Sequence, residues 1–415
     1  SLENFNKAKR EIESWDGYKP TTLHSLKDIA IYNNVEEILY KDEYSRFSLK
    51  SFKALGGAYA VSKLLIEELK KNEIDANSDD LISGRYAGIT AKITVCCATD
   101  GNHGRSVAWG SKMFGCGCEI YIHKNVSIAR EKAIAKFGAN VHRIDGNYDD
   151  SVHIAAKVSA DNNYFVVSDT SYEGYTEIPK SVMQGYTIMV DEAINQINEF
   201  PTHVFLQGGV GGLAAAVVSY FIEYDHINTP IFVVVEPSNA DCLFQSAKSG
   251  IPTTIEGDLE TVMAGLACGE VSLLAWEILK NRVNHFMVID DLCVAPTMQL
   301  LASNSIPIIS GESAVAGLSG FLLALSVFFV FGIEEIPHPI GAIVFHTGGI
   351  AGSLGLGLFS LFPLLIIHQL NSQNISIKPG VLMNEDGFPA IPNLESDDWE
   401  LTTEEERLSG EFEVE

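Results

Sequence analysis

Short β-branched runs alternate with longer stretches of helical periodicity along most of the chain, and this alternation limits the folds open to it. The strand-like runs fall at residues 93–97, 119–122, 140–144, 164–167, 203–206, 231–235, 286–289 and 342–345. Helical patterns fall at 57–71, 104–114, 129–137, 148–161, 180–198, 211–224 and 273–280. A strand followed by a helix returns to the sheet by a crossover, which favours parallel pairing with helices on both faces. The sequence therefore predicts an α/β chain with open, mostly parallel sheets, and it shows no repeat of fixed period.

At 415 residues the chain is long enough for two such units. Its 46% hydrophobic and 20% charged content can build a sizeable core without disulfides. The seven cysteines are odd in number and scattered, which points to a reduced, cytoplasmic setting. Cys116-Gly-Cys118 has no second Cys/His pair at finger spacing, so no metal is expected. The first residues, Ser1-Leu2-Glu3, carry no basic, apolar leader pattern.

A formal net charge of −26 argues against a nucleic-acid partner and against an anionic membrane surface. Part of that excess is local. Residues 395–415 hold ten acids against Arg407, so the segment 381–415 reads as an acidic C-terminal extension. Two uncharged stretches, 313–333 and 341–369, are long enough for membrane spans. The second is broken by Thr347-Gly348-Gly349, Gly352, Gly355, Gly357 and Pro363, and neither is flanked by basic clusters. Both read as buried segments of a large α/β core rather than membrane spans.

Three clusters could carry chemistry. Gln207-Gly208-Gly209-Val210-Gly211-Gly212 follows a strand and opens a helix, a setting in which backbone amides close around an anion. Taken alone it admits two ligands. Gly209 to Ala214 also fits the dinucleotide pattern G-x-G-x-x-A, with Glu236 ending the next strand as a ribose acid. Ser51-Phe52-Lys53 sets a lysine among apolar neighbours, where desolvation makes an amine suited to carbonyl chemistry. Alone it reads more simply as a surface lysine at a helix start. Thr99-Asp100-Gly101-Asn102-His103-Gly104 lies between a strand and a helix. Asp100 there is a candidate proton carrier, or merely a helix cap.

The order of the three clusters resembles pyridoxal-phosphate enzymes of the tryptophan-synthase-β type, and this agreement displaces the dinucleotide alternative. The resemblance is closer still to the diaminopropionate ammonia-lyase family. It is carried by residues 52–60, 98–105, 169–175, Glu236-Pro237 with Ala240-Asp241-Cys242, the block Met263 to Glu270, and Ser310-Gly311-Glu312-Ser313. It spans roughly residues 47–320. The 263–270 block and the Thr-Asp pair at 99–100 are the family-specific parts; the lysine and glycine motifs specify only the broader fold type.

The resemblance implies a two-domain fold type II enzyme. A large cofactor-binding domain would comprise 1–91 and 180–380, and a small domain, 92–179, would carry the Asn loop. It also implies pyridoxal 5'-phosphate as cofactor and a homodimer. Lys53 would hold the cofactor aldehyde, with Phe52 beside it. Asn102 would meet the ring oxygen, Gly208, Gly209, Val210, Gly211 and Gly212 the phosphate, and Thr347 the ring nitrogen. The reaction implied is α,β-elimination from D- and L-2,3-diaminopropionate, giving pyruvate and ammonia. Lys53 would serve as base for the L-isomer and Asp100 for the D-isomer, with Asp169 pairing the leaving β-ammonium. Thr99, Asp100, His103 and Asp169 would bind substrate.

One departure from the family is visible. Thr347-Gly348-Gly349 stands where the family reads Thr-Glu-Gly-Asp, and it is closer to the Ser-Gly-Gly of dehydratases. A threonine or serine dehydratase is thus the nearest alternative, and a non-catalytic cofactor-binding homologue a more distant one. Asp100 and Asp169 favour a substrate with two ammonium groups, because a neutral β-hydroxyl needs no acidic pocket.

Overall fold

The structure, a computed structural model, describes residues 2–99, 101–146, 148–224, 229–331 and 341–346. The strands are β1 (Thr22–Ser25), β2 (Glu37–Asp42), β3 (Thr94–Ala98), β4 (Gly117–His123), β5 (Asn140–Ile144), β6 (Phe165–Val166), β7 (His203–Gln207), β8 (Ile231–Pro237), β9 (His285–Ile289) and β10 (Gly341–His346). They form two sheets. One has six strands in the order β1-β2-β10-β7-β8-β9, and the other has four in the order β5-β4-β3-β6. Only β1 is antiparallel, to β2; every other pair is parallel. The expected parallel α/β architecture is therefore present.

Each expected strand is found to within a few residues. The parallel centre of the larger sheet explains why. β8 reads Ile-Phe-Val-Val-Val-Glu-Pro and is buried from Phe232 to Pro237, the continuous apolar run of a strand covered on both faces. β1 and β2 were not expected. β1 is Thr-Leu-His-Ser at a sheet edge, and β2 carries Glu37, Lys41 and Asp42, so neither shows an apolar run. The helix Leu2–Ser14, also unforeseen, buries Phe5, Ala8 and Ile12 at helical spacing.

The first long apolar stretch forms the helix Ala316–Phe331. It lies on the larger sheet, with Phe321 edge-on to Phe205 at 5.2 Å and Gly320 packed against Val235. Part of the second stretch is β10, a strand between β2 and β7. Among the described residues no helix is long and apolar enough to cross a membrane.

The helix Lys53–Lys71 joins the two sheets' surroundings. It packs against the helix Asn102–Phe114 on one side and Glu177–Gln196 on the other. Close approach requires glycine at both contacts. A Cβ on Gly57 would sit 1.8 Å from Ser106 Oγ, and one on Gly56 would sit 2.4 Å from the Tyr186 ring. The paired glycines after Lys53 therefore serve packing as much as chemistry.

Candidate active site

Lys53 opens its helix directly after a strained turn. Phe47, Ser48 and Lys50 adopt φ of 47°, 58° and 51°, the left-handed region, although none is glycine. Such residues cost on the order of 1–3 kcal/mol each and persist only where the surroundings hold them. Beyond the turn, Lys53 N–H donates to Ser51 Oγ at 3.2 Å, and Lys53 C=O accepts from Ser106 Oγ at 2.7 Å. The backbone at the lysine is thus fixed by both neighbouring segments.

The Lys53 ammonium is ion-paired with Asp169, 116 residues away in sequence. It also lies 5.2 Å from the Phe52 ring centre and 5.7 Å from that of Tyr186, distances at which aromatic faces attract a cation. The pair is only partly buried, with side chains 24% and 19% exposed, so it faces an opening. Burial opposes the Asp169 charge, but the Lys53 ammonium and the His103 ring hold its carboxyl well below the usual range.

His103 is buried and donates from Nε2 to the carbonyl of Val167 at 2.8 Å. Its Nδ1 makes no hydrogen bond and faces Asp169 at 3.9 Å. With Nε2 committed to Val167, Nδ1 is the ring atom turned towards the Asp169 carboxylate. Tyr186 completes the group. Its ring lies 4.7 Å from Phe52, its hydroxyl is buried without a hydrogen bond, and burial drives its pKa upward.

The glycine loop lies beside this group. Gly208 N–H donates to Val235 C=O at 2.7 Å, and the loop runs into the helix Gly212–Tyr224. Gly211 has φ of 96°, and a Cβ on Gly208 would fall 2.6 Å from Glu236 Cγ. The loop is stitched to the Asp169 segment. Val210 C=O accepts from Ser272 N–H at 2.9 Å, and the Ser272 and Ser171 hydroxyls meet at 2.8 Å. Amides of a side-chain-free turn at a helix N-terminus suit a phosphate. A lysine amine beside them suits an aldehyde, so these residues fit pyridoxal phosphate.

They do not fit a dinucleotide. Glu236 is fully buried under the loop, where its carboxyl accepts from Leu243 and Phe244 N–H at 3.0 and 2.7 Å. Burial pushes it up to about 8, against the pull of those amides. It caps the helix Cys242–Ser249 and is not offered to a ribose.

Several expected site residues take other settings. Thr99 is buried, and its hydroxyl accepts from Gly101 and Gly104 N–H at 3.1 Å each, bracing the Asn loop. Asn102 begins its helix and is half-buried. Asp100 and Thr347 lie outside the described residues. Tyr186 and Ser272 were not singled out from the sequence. Tyr186 falls in a buried helical stripe with Val182, Met183 and Met189, a pattern that by itself signals only core.

Residues 14–326 match the sequence pattern of the family described as pyridoxal-phosphate dependent enzyme. Two parallel α/β sheets with a lysine and a glycine-rich anion turn define that class, in its fold type II form. The chain is 42% identical over 315 residues to diaminopropionate ammonia-lyase of Escherichia coli K12, covering 74% of this chain and 78% of that protein. The crystal structure of the Escherichia coli enzyme in complex with D-serine superposes with a TM-score of 0.76 at 36% identity, over 84% of this chain and 89% of that one. An L-threonine dehydratase of Lactococcus lactis is 23% identical over 304 residues, covering 71% of this chain and 65% of that protein. The chain belongs to the diaminopropionate ammonia-lyase family of pyridoxal-phosphate-dependent enzymes.

Proposed function

We propose that this protein converts D- and L-2,3-diaminopropionate and water to pyruvate and two molecules of ammonia, with pyridoxal 5'-phosphate as cofactor. The observation that carries the substrate class is the Asp169 carboxylate, which already holds an ammonium, that of Lys53, in a partly open pocket. A substrate with a second amino group would present the same chemistry. The more distant dehydratase reading lacks this support, because a β-hydroxyl offers no cation to Asp169.

When bound, pyridoxal phosphate supplies an electron sink for the pair left behind when a Cα proton is removed. The chain's residues do the rest. The amides of Gly209, Val210, Gly211 and Gly212 would hold the phosphate, Gly208 N–H being spent on Val235 C=O and its lack of a side chain giving the loop room, and Asn102 and Thr347 would meet the ring oxygen and ring nitrogen. Phe52 flanks the cofactor lysine. Lys53 would hold the aldehyde, and its amine, once free, would take the Cα proton of the L-isomer. Asp100, two residues before Asn102 in sequence, would take that of the D-isomer. Asp169 passes from the Lys53 ammonium to the substrate's β-ammonium and steadies it until it leaves as ammonia. His103, anchored on Val167, keeps Asp169 charged and oriented. Thr99 keeps the Asn loop in shape.

The same reading includes a homodimer in the cytoplasm, with a large unit of 1–91 and 180–380, a small unit of 92–179 and an acidic extension at 381–415. The two sheets support this division, since β3 to β6 fall inside the small unit and all other strands outside it. The deciding experiment is pyruvate release from D- and L-diaminopropionate beside D- and L-serine and L-threonine. In Asp100→Asn, kcat for the D-isomer should fall about 10²–10⁴-fold, the usual contribution of a positioned base, and that for the L-isomer much less. Equal losses in kcat would show that Asp100 is a shared binding group and not an isomer-specific base.

A further inference from the structure

We infer that the buried ion cluster around Glu192 is a positioning device for Lys53, clamping the left-handed turn that delivers the lysine to the cofactor. The inference rests on Lys53 as the cofactor lysine. Glu192 belongs to the helix Glu177–Gln196, which also lays Tyr186 against Lys53. Its carboxylate accepts from Arg46 Nη1 and Nη2 at 2.8 and 2.7 Å, Lys41 Nζ at 2.9 Å, Tyr18 Oη at 2.9 Å and Thr21 N–H at 2.9 Å. Arg46 is gripped a second time by Glu43, at 2.8 and 2.9 Å. Lys41, Glu43, Arg46 and Glu192 are all at most 4% exposed. Two cations balance two anions there, so removing one leaves an opposite charge stranded in the interior.

The strained turn begins at the clamped residue. Arg46 is followed at once by Phe47 and Ser48, then Lys50, all left-handed. The Phe47 ring is wedged against Trp109 at 4.8 Å and Trp15 at 6.0 Å, and Leu49 C=O accepts from Arg105 at 3.3 Å. The turn is therefore pinned at 46, 47 and 49, and it ends on the Ser51 hydroxyl that meets Lys53 N–H. Non-glycine residues return to right-handed or extended backbone once such restraints go. Any such relaxation moves the start of the lysine helix.

The test uses the full chain with Glu192→Gln, Arg46→Lys, Ser48→Gly and the Ser48→Gly combinations. Two readouts need no turnover: affinity of the apoprotein for pyridoxal phosphate, followed by its visible absorbance, and amide exchange of 46–52 relative to 54–71. Glu192→Gln should weaken cofactor affinity at least tenfold and speed exchange in 46–52 at least tenfold, leaving 54–71 within twofold. Arg46→Lys keeps the charge but loses the planar fork, and should lie between it and wild type. Ser48 is exposed, and glycine adopts the left-handed turn freely, so Ser48→Gly alone should bind as wild type. Added to either cluster variant, it should recover at least half of the lost affinity on a logarithmic scale. Wild-type affinity in Glu192→Gln overturns the proposal. So does affinity loss without faster exchange in 46–52, or with no recovery by glycine. Should Glu192→Gln fail to fold, Arg46→Lys with and without Ser48→Gly decides by the same criteria. Borohydride trapping in the wild type tests Lys53 separately, and a different labelled lysine would unseat the cofactor reading while the exchange data still judge the clamp.

Discussion

Two ionic groups each join the early segment 41–53 to a later part of this chain, and they are built to opposite ends. Around Glu192, one carboxylate accepts from two arginine nitrogens, a lysine, a tyrosine and a backbone amide, and the group is sealed from water. Around Asp169, one lysine partner faces an opening, and His103 Nδ1 and Tyr186 Oη are buried without hydrogen bonds. Buried polar groups are ordinarily satisfied, so these atoms leave the group around Asp169 with hydrogen-bonding capacity that the Glu192 group lacks. A saturated cluster resists exchange of partners and suits a fixed support. An under-satisfied pair can hand its ammonium to a substrate at little cost, and suits chemistry.

That contrast can be broken most directly at the lysine. Lys53→Ala should lower kcat on both isomers, since the cofactor anchor is lost for each, and by about a further 10²–10⁴-fold on the L-isomer, whose base goes with it. Its thermal midpoint should shift little, because the pair it removes is partly exposed. Glu192→Ala should do the reverse in proportion. Leaving one positive charge unbalanced in the interior costs about 3–5 kcal/mol of stability, read by denaturant unfolding. A stability loss from Lys53→Ala as large as that from Glu192→Ala would erase the distinction between the two groups.

Asp169→Asn sharpens the comparison at smaller scale. A hydrogen bond to a charged group is worth about 1.5–3 kcal/mol, so kcat/KM for diaminopropionate should fall about 10- to 150-fold. The value for serine should change far less. The charged form of Asp169 is favoured in the folded state, so its contribution to stability is present above the ordinary Asp range and is lost only in strong acid. The smallest effect belongs to Glu236, whose folded pKa of about 8 lies above the ordinary value near 4.3. Folding takes up a proton there, so stability declines as pH rises from about 4.3 to about 8. Glu236→Gln should flatten that decline in unfolding measured across the window. An unchanged slope would show that Glu236 is ionised where it sits.

The legible part of the site was the part written in local motifs. Lys53, Asn102 and the glycine loop each sit at a strand or loop end that meets a helix, where residue type and turn chemistry mark a candidate, whereas Asp169 was reached only through the family resemblance. The strands of the parallel sheets were legible for a similar reason, since burial on both faces leaves an unbroken apolar run. Glu236 shows the limit of a local pattern. Its position at a strand end resembles that of a ribose acid, but its carboxyl is turned under the loop and caps a helix.

The sequence by itself determined the parallel α/β class, which follows from short-range periodicity, and, through its resemblance to the family, the residues expected to hold an aldehyde and a phosphate. Only the tertiary structure decided which charges are buried and whom they meet. Lys41, Glu43 and Arg46 lie on β2 and the turn after it, charged residues that no local motif marks, yet they are sealed against a helix carrying Glu192 about 150 residues on. Lys53 meets Asp169 across 116 residues, and Tyr186 lies against both. Pairing over such distances depends on how helices dock across two sheets, and the energy of a charge depends on the surroundings that docking creates.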